Sequence, residues 1–116
     1  MLHDDCLFCK MINGKIPCET VVNTDTVMGF KDINPQAPHH VLFIPKTHIP
    51  TINDLTQENI SQVGELYLEA QQYIKSIGED GVGYRLVMNC NAAGGQSVYH
   101  IHLHALAGRD LTWPPG

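Results

Sequence analysis

The run His100-Ile101-His102-Leu103-His104 alternates imidazole with aliphatic side chains. On an extended strand successive side chains leave opposite faces, so His100, His102 and His104 are expected on one surface and Ile101 and Leu103 on the other. Val98, Tyr99, Ala105 and Leu106 favour the same extended conformation, and Gly94-Gly95 punctuate the approach as a loop able to come close to a bound group. From Leu86 to Gly108 there is no Lys, Arg, Asp or Glu. Any positive charge offered to an anion there must come from imidazole, backbone N–H groups or hydroxyls. An ordinary imidazole titrates near pH ~6.5, so both its neutral and protonated forms are accessible around neutrality. Three readings fit such a face: imidazoles holding a metal such as zinc, an imidazole attacking phosphorus while its neighbours hold the phosphate oxygens, or an inert His-rich strand. Spacing alone does not choose among them.

The remaining chain bounds the choice. Its 116 residues are enough for one domain with a real core, and 43% hydrophobic with 16% charged residues is ordinary for a globular protein. A formal net charge of −5 argues against a general nucleic-acid binder, which needs a basic face. No apolar run approaches the ~18 residues of a membrane span. Met1 to Asp5 has neither a basic nor an apolar leader region, so a cytoplasmic location with reduced Cys6, Cys9, Cys18 and Cys90 is expected.

Taken in order, Cys6 to Ile12 reads as a short helix with Leu7, Phe8 and Met11 on its apolar side, stopped at Asn13-Gly14 and barred by Pro17. Cys6-x-x-Cys9 is half of a zinc site. Two unliganded cysteines are the alternative. Glu19 to Asn23 and Thr26 to Asp32 read as strands around a turn, and Asp32 then enters the proline-broken loop Asn34-Pro35-Gln36-Ala37-Pro38. His40 to Pro45 is a nearly continuous apolar strand suited to a sheet interior. One long helix is expected from about Thr56 to Ile77, with Ile60, Val63, Tyr67, Ala70, Ile74 and Ile77 facing the core. Thr56 is its expected cap and Gly78 its stop. Tyr84 to Asn89 reads as a strand pairing antiparallel with the histidine strand across an Asn91 to Gly95 loop. These elements predict an α+β fold: a mainly antiparallel sheet of about five strands, one long helix and a short N-terminal helix.

His100 to Leu106 has the pattern His-φ-His-φ-His-φ-φ, with φ apolar, and so resembles the signature of the histidine triad (HIT) family of nucleotide hydrolases and transferases. Gly94 to Tyr99, the terminal Trp113-Pro114-Pro115-Gly116, Asp32 to Pro38, His40 and Ile44-Pro45-Lys46 are similar to its Hint branch. The resemblance spans nearly the whole chain and implies a single HIT domain over residues 1–116. It further implies hydrolysis of purine nucleoside 5′-phosphoramidates to the nucleoside monophosphate through a nucleotidyl-histidine. The alternatives are a dinucleoside polyphosphate hydrolase of the same family and a zinc-binding or protein-interaction module with a nucleotide pocket.

By that resemblance His102 attacks the α-phosphorus and His100 orients it through the backbone carbonyl. His104 and Ser97 contact phosphate and leaving group, with Gln96, Gly95 and Asn89 nearby and His40 in an outer shell. Asp32 is implied to bind the ribose hydroxyls, and Phe30, Ile33, Leu7, Phe8 and Met11 to line the base pocket. Trp113 belongs to a tail that helps complete the partner's site in a homodimer. His48 and His100 are the implied partners of Cys6 and Cys9 around a structural zinc. With no carboxylate cluster to hold Mg²⁺, catalysis is expected to need no cofactor.

Overall fold

A computed structural model describes residues 3–116. The leader reading therefore rests partly on Met1 and Leu2, which lie outside the described residues. In chain order the elements are helix α1 (Leu7–Ile12), strands β1 (Thr20–Asn23), β2 (Val27–Lys31) and β3 (His39–Pro45), a 3-10 turn (Ile52–Asp54), helix α2 (Ile60–Ser76), strand β4 (Tyr84–Val87), a short helix α3 (Asn91–Gly94) and strand β5 (Leu103–Ala107). The five strands form one sheet in the order β1-β2-β3-β5-β4, every neighbouring pair antiparallel. This is the α+β architecture expected from the sequence.

Strand β3 lies at the centre and is covered on both faces, which explains its unbroken apolar run. Val41 and Phe43 join Leu103, Ala105 and Ala107 of β5 in a core closed by Leu66, Ala70 and Ile74 of α2. The alternate residues Leu42 and Ile44 face the other way, into a second cluster with Met28, Phe30 and the α1 residues Cys6, Phe8 and Cys9. His40 and His104 belong to this second face by the same alternation. In the register, His40 stands opposite Leu106 and Leu42 opposite His104, making the two histidines diagonal neighbours across the strand pair.

Three expectations change. The histidine strand begins only at Leu103, so His100 and His102 precede it on irregular backbone. Ile101 N–H donates to Ile49 O at 2.8 Å instead of joining the β5 ladder. Helix α2 starts at Ile60, because Thr56 and Asn59 close a separate turn: the Thr56 N–H donates to Asn59 Oδ1 at 2.7 Å and the Asn59 N–H to Thr56 Oγ1 at 3.3 Å. Its buried stripe is also rotated, with Leu66 fully buried while Ile60 and Tyr67 stand 47% and 46% exposed. The periodicity admits Tyr67 and omits Leu66 because both neighbour the same stripe, and packing selects the aliphatic side chain. Finally, residues 91–94 form a helical turn, with Gly95 at φ +92° as its left-handed stop.

Leu66→Ala should therefore cost about 2–5 kcal/mol of stability, as large-to-small changes in a closed core do. Tyr67→Ala should cost less than about 1 kcal/mol. Urea denaturation of the two variants checks the rotated stripe.

Candidate active site

The second face of the sheet opens into a cleft of about 260 Å³. Leu7, Phe8 and Met11 from α1 line it together with Phe30 and Leu42 of the sheet, Asp32, Ile33, Ser97, His102 and His104, and the Asp32 carboxylate lies within 4.8 Å of a ring nitrogen of His104. Nine residues singled out in the sequence are thus together: Leu7, Phe8, Met11, Phe30, Asp32, Ile33, Ser97, His102 and His104. Ile33 is 99% exposed, so it can only form the rim. Leu42, Val98, Pro17 and Cys18 also line the cleft and were not anticipated. Leu42 was legible in principle, since it shares a face with His40, whereas Pro17 and Cys18 lie on an aperiodic loop that carries no signal.

As alternation predicts, Ile101 and Leu103 enter the α2 core while the three histidines lie on the α1 side, but His100 does not line the cleft. His100 precedes the strand, and its fully buried ring turns to Pro45 and the cysteines of α1. Its Nε2–H donates to Pro45 O at 2.8 Å, which leaves Nδ1 with a lone pair. The His100 carbonyl accepts from His102 Nδ1–H at 2.8 Å, so the lone pair of His102 lies on Nε2. Phe8 meets the His102 ring edge-on at 5.1 Å. This fixes one tautomer and one orientation of a neutral, nucleophilic imidazole.

His104 is fixed by a second chain of bonds. Gln36 N–H donates to His40 Nδ1 at 3.0 Å, so the His40 proton sits on Nε2 and is shared with His104 Nδ1 at 2.9 Å. The remaining ring nitrogen of His104, Nε2, then bears hydrogen and is a donor. Asp32 Oδ2 lies 3.5 Å from His40 Nε2, while its Oδ1 accepts the Asn34 N–H at 2.8 Å and holds the turn. Burial lowers both His102 and His104 from the ordinary 6.5, His104 to about 4 with the imidazoles of His102 and His40 adding to the effect and Asp32 opposing it. His40 is lowered too, again chiefly by burial. Neutral rings are the resting state at pH 7.

Other anticipated residues stand apart from the cleft. The Gln96 side chain is buried as a brace, accepting Asn91 N–H at 2.8 Å and donating to Pro50 O at 2.8 Å and Val98 O at 3.1 Å. It shapes the loop that presents Ser97. Asn89 lies against Gly95, whose missing side chain would come 3.8 Å from Asn89 Nδ2. Trp113 is 81% exposed, on a tail tied down where Arg85 donates to Thr112 O at 2.8 Å.

Cys6, Cys9, His48 and His100 bring four donor atoms within 4.8 Å of one another. Cys9 Sγ is 3.3 Å from His48 Nδ1 and 3.6 Å from His100 Nδ1, and Cys6 Sγ is 3.5 Å from His100 Nδ1. A tetrahedral zinc with ordinary bond lengths needs S···N edges of about 3.6 Å. The unprotonated His100 Nδ1 faces inward as a ligand must, so the donor set fits. Burial raises the Cys9 thiol, which a bound cation would reverse by favouring thiolate. Asp32, His40 and His104 also approach one another, but 2.9 Å between imidazole nitrogens is a hydrogen bond, shorter than the roughly 3.3 Å separating two ligands of one tetrahedral zinc.

Comparison with known proteins places the chain among relatives of known family. Residues 5–111 match the family model described as scavenger mRNA decapping enzyme C-term binding. The purine nucleoside phosphoramidase of Escherichia coli (strain K12) is 44% identical over 110 residues, covering 95% of this chain and 92% of the relative. A crystal structure of a HIT family hydrolase from Legionella pneumophila superposes with a TM-score of 0.94 at 48% identity, covering 97% of this chain and 100% of that one. A Zn-bound histidine triad family protein from Mycobacterium smegmatis superposes with a TM-score of 0.78 at 28% identity, covering 91% and 76% of the two chains. Matches of this extent establish that the chain belongs to the histidine triad family of hydrolases.

Proposed function

We propose that this hydrolase cleaves purine nucleoside 5′-phosphoramidates, adenosine conjugates among them, to the nucleoside monophosphate through a nucleotidyl-His102 intermediate. The observation that carries the reading is the 2.8 Å bond from His102 Nδ1–H to His100 O, which leaves Nε2 free on a ring that lines the cleft. The apolar lining suits a base, and the Asp32 carboxylate in the same cleft suits the ribose diol. The 44% identity to a purine nucleoside phosphoramidase supports the same substrate class.

In the first step His102 Nε2 bonds to the α-phosphorus and the P–N bond breaks, the nitrogen keeping the bonding pair and taking a proton. The His102 ring becomes cationic, and its Nδ1–H bond to the His100 carbonyl strengthens as that charge develops. His104 Nε2–H and the Ser97 hydroxyl are donors for the phosphate oxygens and the leaving group. Water then attacks phosphorus and frees His102. Over both steps one water is consumed, its oxygen going to phosphorus and one proton to the amine. Every group in this scheme is an imidazole, hydroxyl or backbone dipole, so no metal is assigned to bond breaking. The four donors at Cys6, Cys9, His48 and His100 are assigned to a structural zinc, as their spacing supports.

Two copies of the chain are proposed to act together, in the cytoplasm. The outer edge of β4 has no neighbour within the sheet, and the Trp113 tail runs beside that strand, held at Arg85. Dinucleoside polyphosphate hydrolysis remains the second reading within the family, favoured by the same nucleophile, and relative turnover of the two substrate classes separates them.

An adenosine 5′-phosphoramidate with a fluorescent amine should release that amine in the presence of chelator, and His102→Ala should lose at least about a thousand-fold in kcat. Mass spectrometry after a quench without acid should find an AMP-sized adduct on the parent alone. Equal turnover by the variant would refute the covalent mechanism. His104 gives a separate check through pH. Its folded value of about 4 lies below the ordinary 6.5, so between those limits the unfolded chain takes up a proton that the folded chain refuses. Stability should therefore fall as pH drops from 6.5 toward 4, and urea midpoints for His104→Asn should fall less steeply through that window.

A further inference from the structure

We propose that Cys6, Cys9 and His48, joined to His100 by a bound divalent metal, are positioning residues that set nucleotide affinity by pinning α1 as the wall of the cleft. The inference rests on the nucleotide reading of that cleft. It starts from the shortness of α1. Six residues do not hold a helix in water without outside support.

The same few residues serve two sides. Cys6 is the helix N-cap, its Sγ accepting the Cys9 N–H at 3.4 Å, and Cys9 is fully buried one turn later. Between and beyond them Leu7, Phe8 and Met11 wall the cleft. The sulfur atoms offered to a metal are therefore carried on the turn that carries the wall. Apart from these sulfurs, α1 reaches the sheet through apolar contacts, Phe8 meeting Phe30 at 5.3 Å and His102 at 5.1 Å and Met11 and Ile12 packing on the same cluster. A metal would tie α1 to His48, 39 positions away, and to His100, 91 positions from Cys9. Such long closures fix the position of a short helix that side-chain packing alone leaves free to shift.

The nucleophile keeps anchors that involve neither cysteine nor His48. His100 Nε2–H donates to Pro45 O at 2.8 Å, Ile101 N–H to Ile49 O at 2.8 Å, and His102 Nδ1–H to His100 O at 2.8 Å. Two of these bonds are made by His100, through its Nε2 and its carbonyl, and none needs a sulfur, His48 or the His100 Nδ1 that faces the cluster. Loss of metal should accordingly loosen the wall that holds the base and leave the attacking nitrogen aimed. This separates binding from chemistry.

The test compares zinc-reconstituted and chelator-treated protein, with metal content by plasma mass spectrometry, AMP affinity by calorimetry and kinetics on the phosphoramidate. The expected result is one zinc per chain, with AMP Kd and KM weakened by about ten- to a hundred-fold on zinc removal, as loss of part of the base's apolar wall would produce. The value of kcat should stay within about threefold. His48→Ala, a change outside the cleft lining, should reproduce the loss, and His48→Cys, which restores a ligand, should recover affinity. Circular dichroism and a cooperative melt establish that each form is folded. Equal AMP Kd in folded loaded and metal-free protein overturns the proposal, as does failure to take up zinc while AMP still binds. Zinc-loaded protein that binds no AMP would instead overturn the nucleotide reading on which the proposal depends.

Discussion

The buried imidazole of His100 is the pivot of the molecule. A ring removed from water needs a partner for each nitrogen, and here Pro45 O takes one while the cysteine sulfurs face the other. Burial lowers this ring to about 4, so it stays neutral and its two nitrogens keep distinct roles. Because the side chain is fixed on one side of the backbone, its carbonyl is fixed on the other, and that carbonyl holds His102. One residue therefore joins a donor cluster suited to metal and the nitrogen proposed to attack phosphorus.

Around this pivot the sheet sorts chemistry by parity. Odd positions of β3 and β5, Val41, Phe43, Leu103 and Ala105, enter the α2 core, while His40, Leu42, Ile44 and His104 face α1. The polar groups on the second face are satisfied internally: His40 bridges Gln36 N–H and His104, and Gln96 braces its loop with three bonds. Among the described residues no buried side-chain nitrogen or oxygen lacks a partner. Such networks fix orientation as well as satisfy burial, which is what a site made of imidazoles requires.

Much of this was legible in the sequence because it depends on local period and on motif. The antiparallel strands, the long helix and the cleft residues from Leu7 to His104 follow from alternation, helical spacing and resemblance to the histidine triad pattern. What escaped depends on contacts between distant segments. Period-two reasoning gives His100 its face but not its depth: the backbone at Ile101 bonds to Ile49 off the ladder, and the His100 ring is buried against Pro45 and the α1 cysteines instead of lining the cleft. Helical periodicity cannot separate Leu66 from Tyr67, since the choice is made by the space β3 and β5 leave above them. Likewise Gln96 offers the same amide whether it meets a ligand or, as here, the carbonyls of Pro50 and Val98.

The central strand also links the fidelity of folding to the fidelity of the site. A slip of β3 by one residue would turn His40 and Leu42 into the α2 core and bring Val41 and Phe43 out beneath α1. Gly29 sharpens the penalty, because it stands opposite Phe43, whose ring would lie 2.9 Å from any added Cβ and so fills the space where a side chain would be. A misaligned molecule would bury an imidazole without its partners and expose an aromatic ring, making it recognisable as damaged by its stability alone. The cell would thus meet few copies that are soundly folded but chemically disarmed.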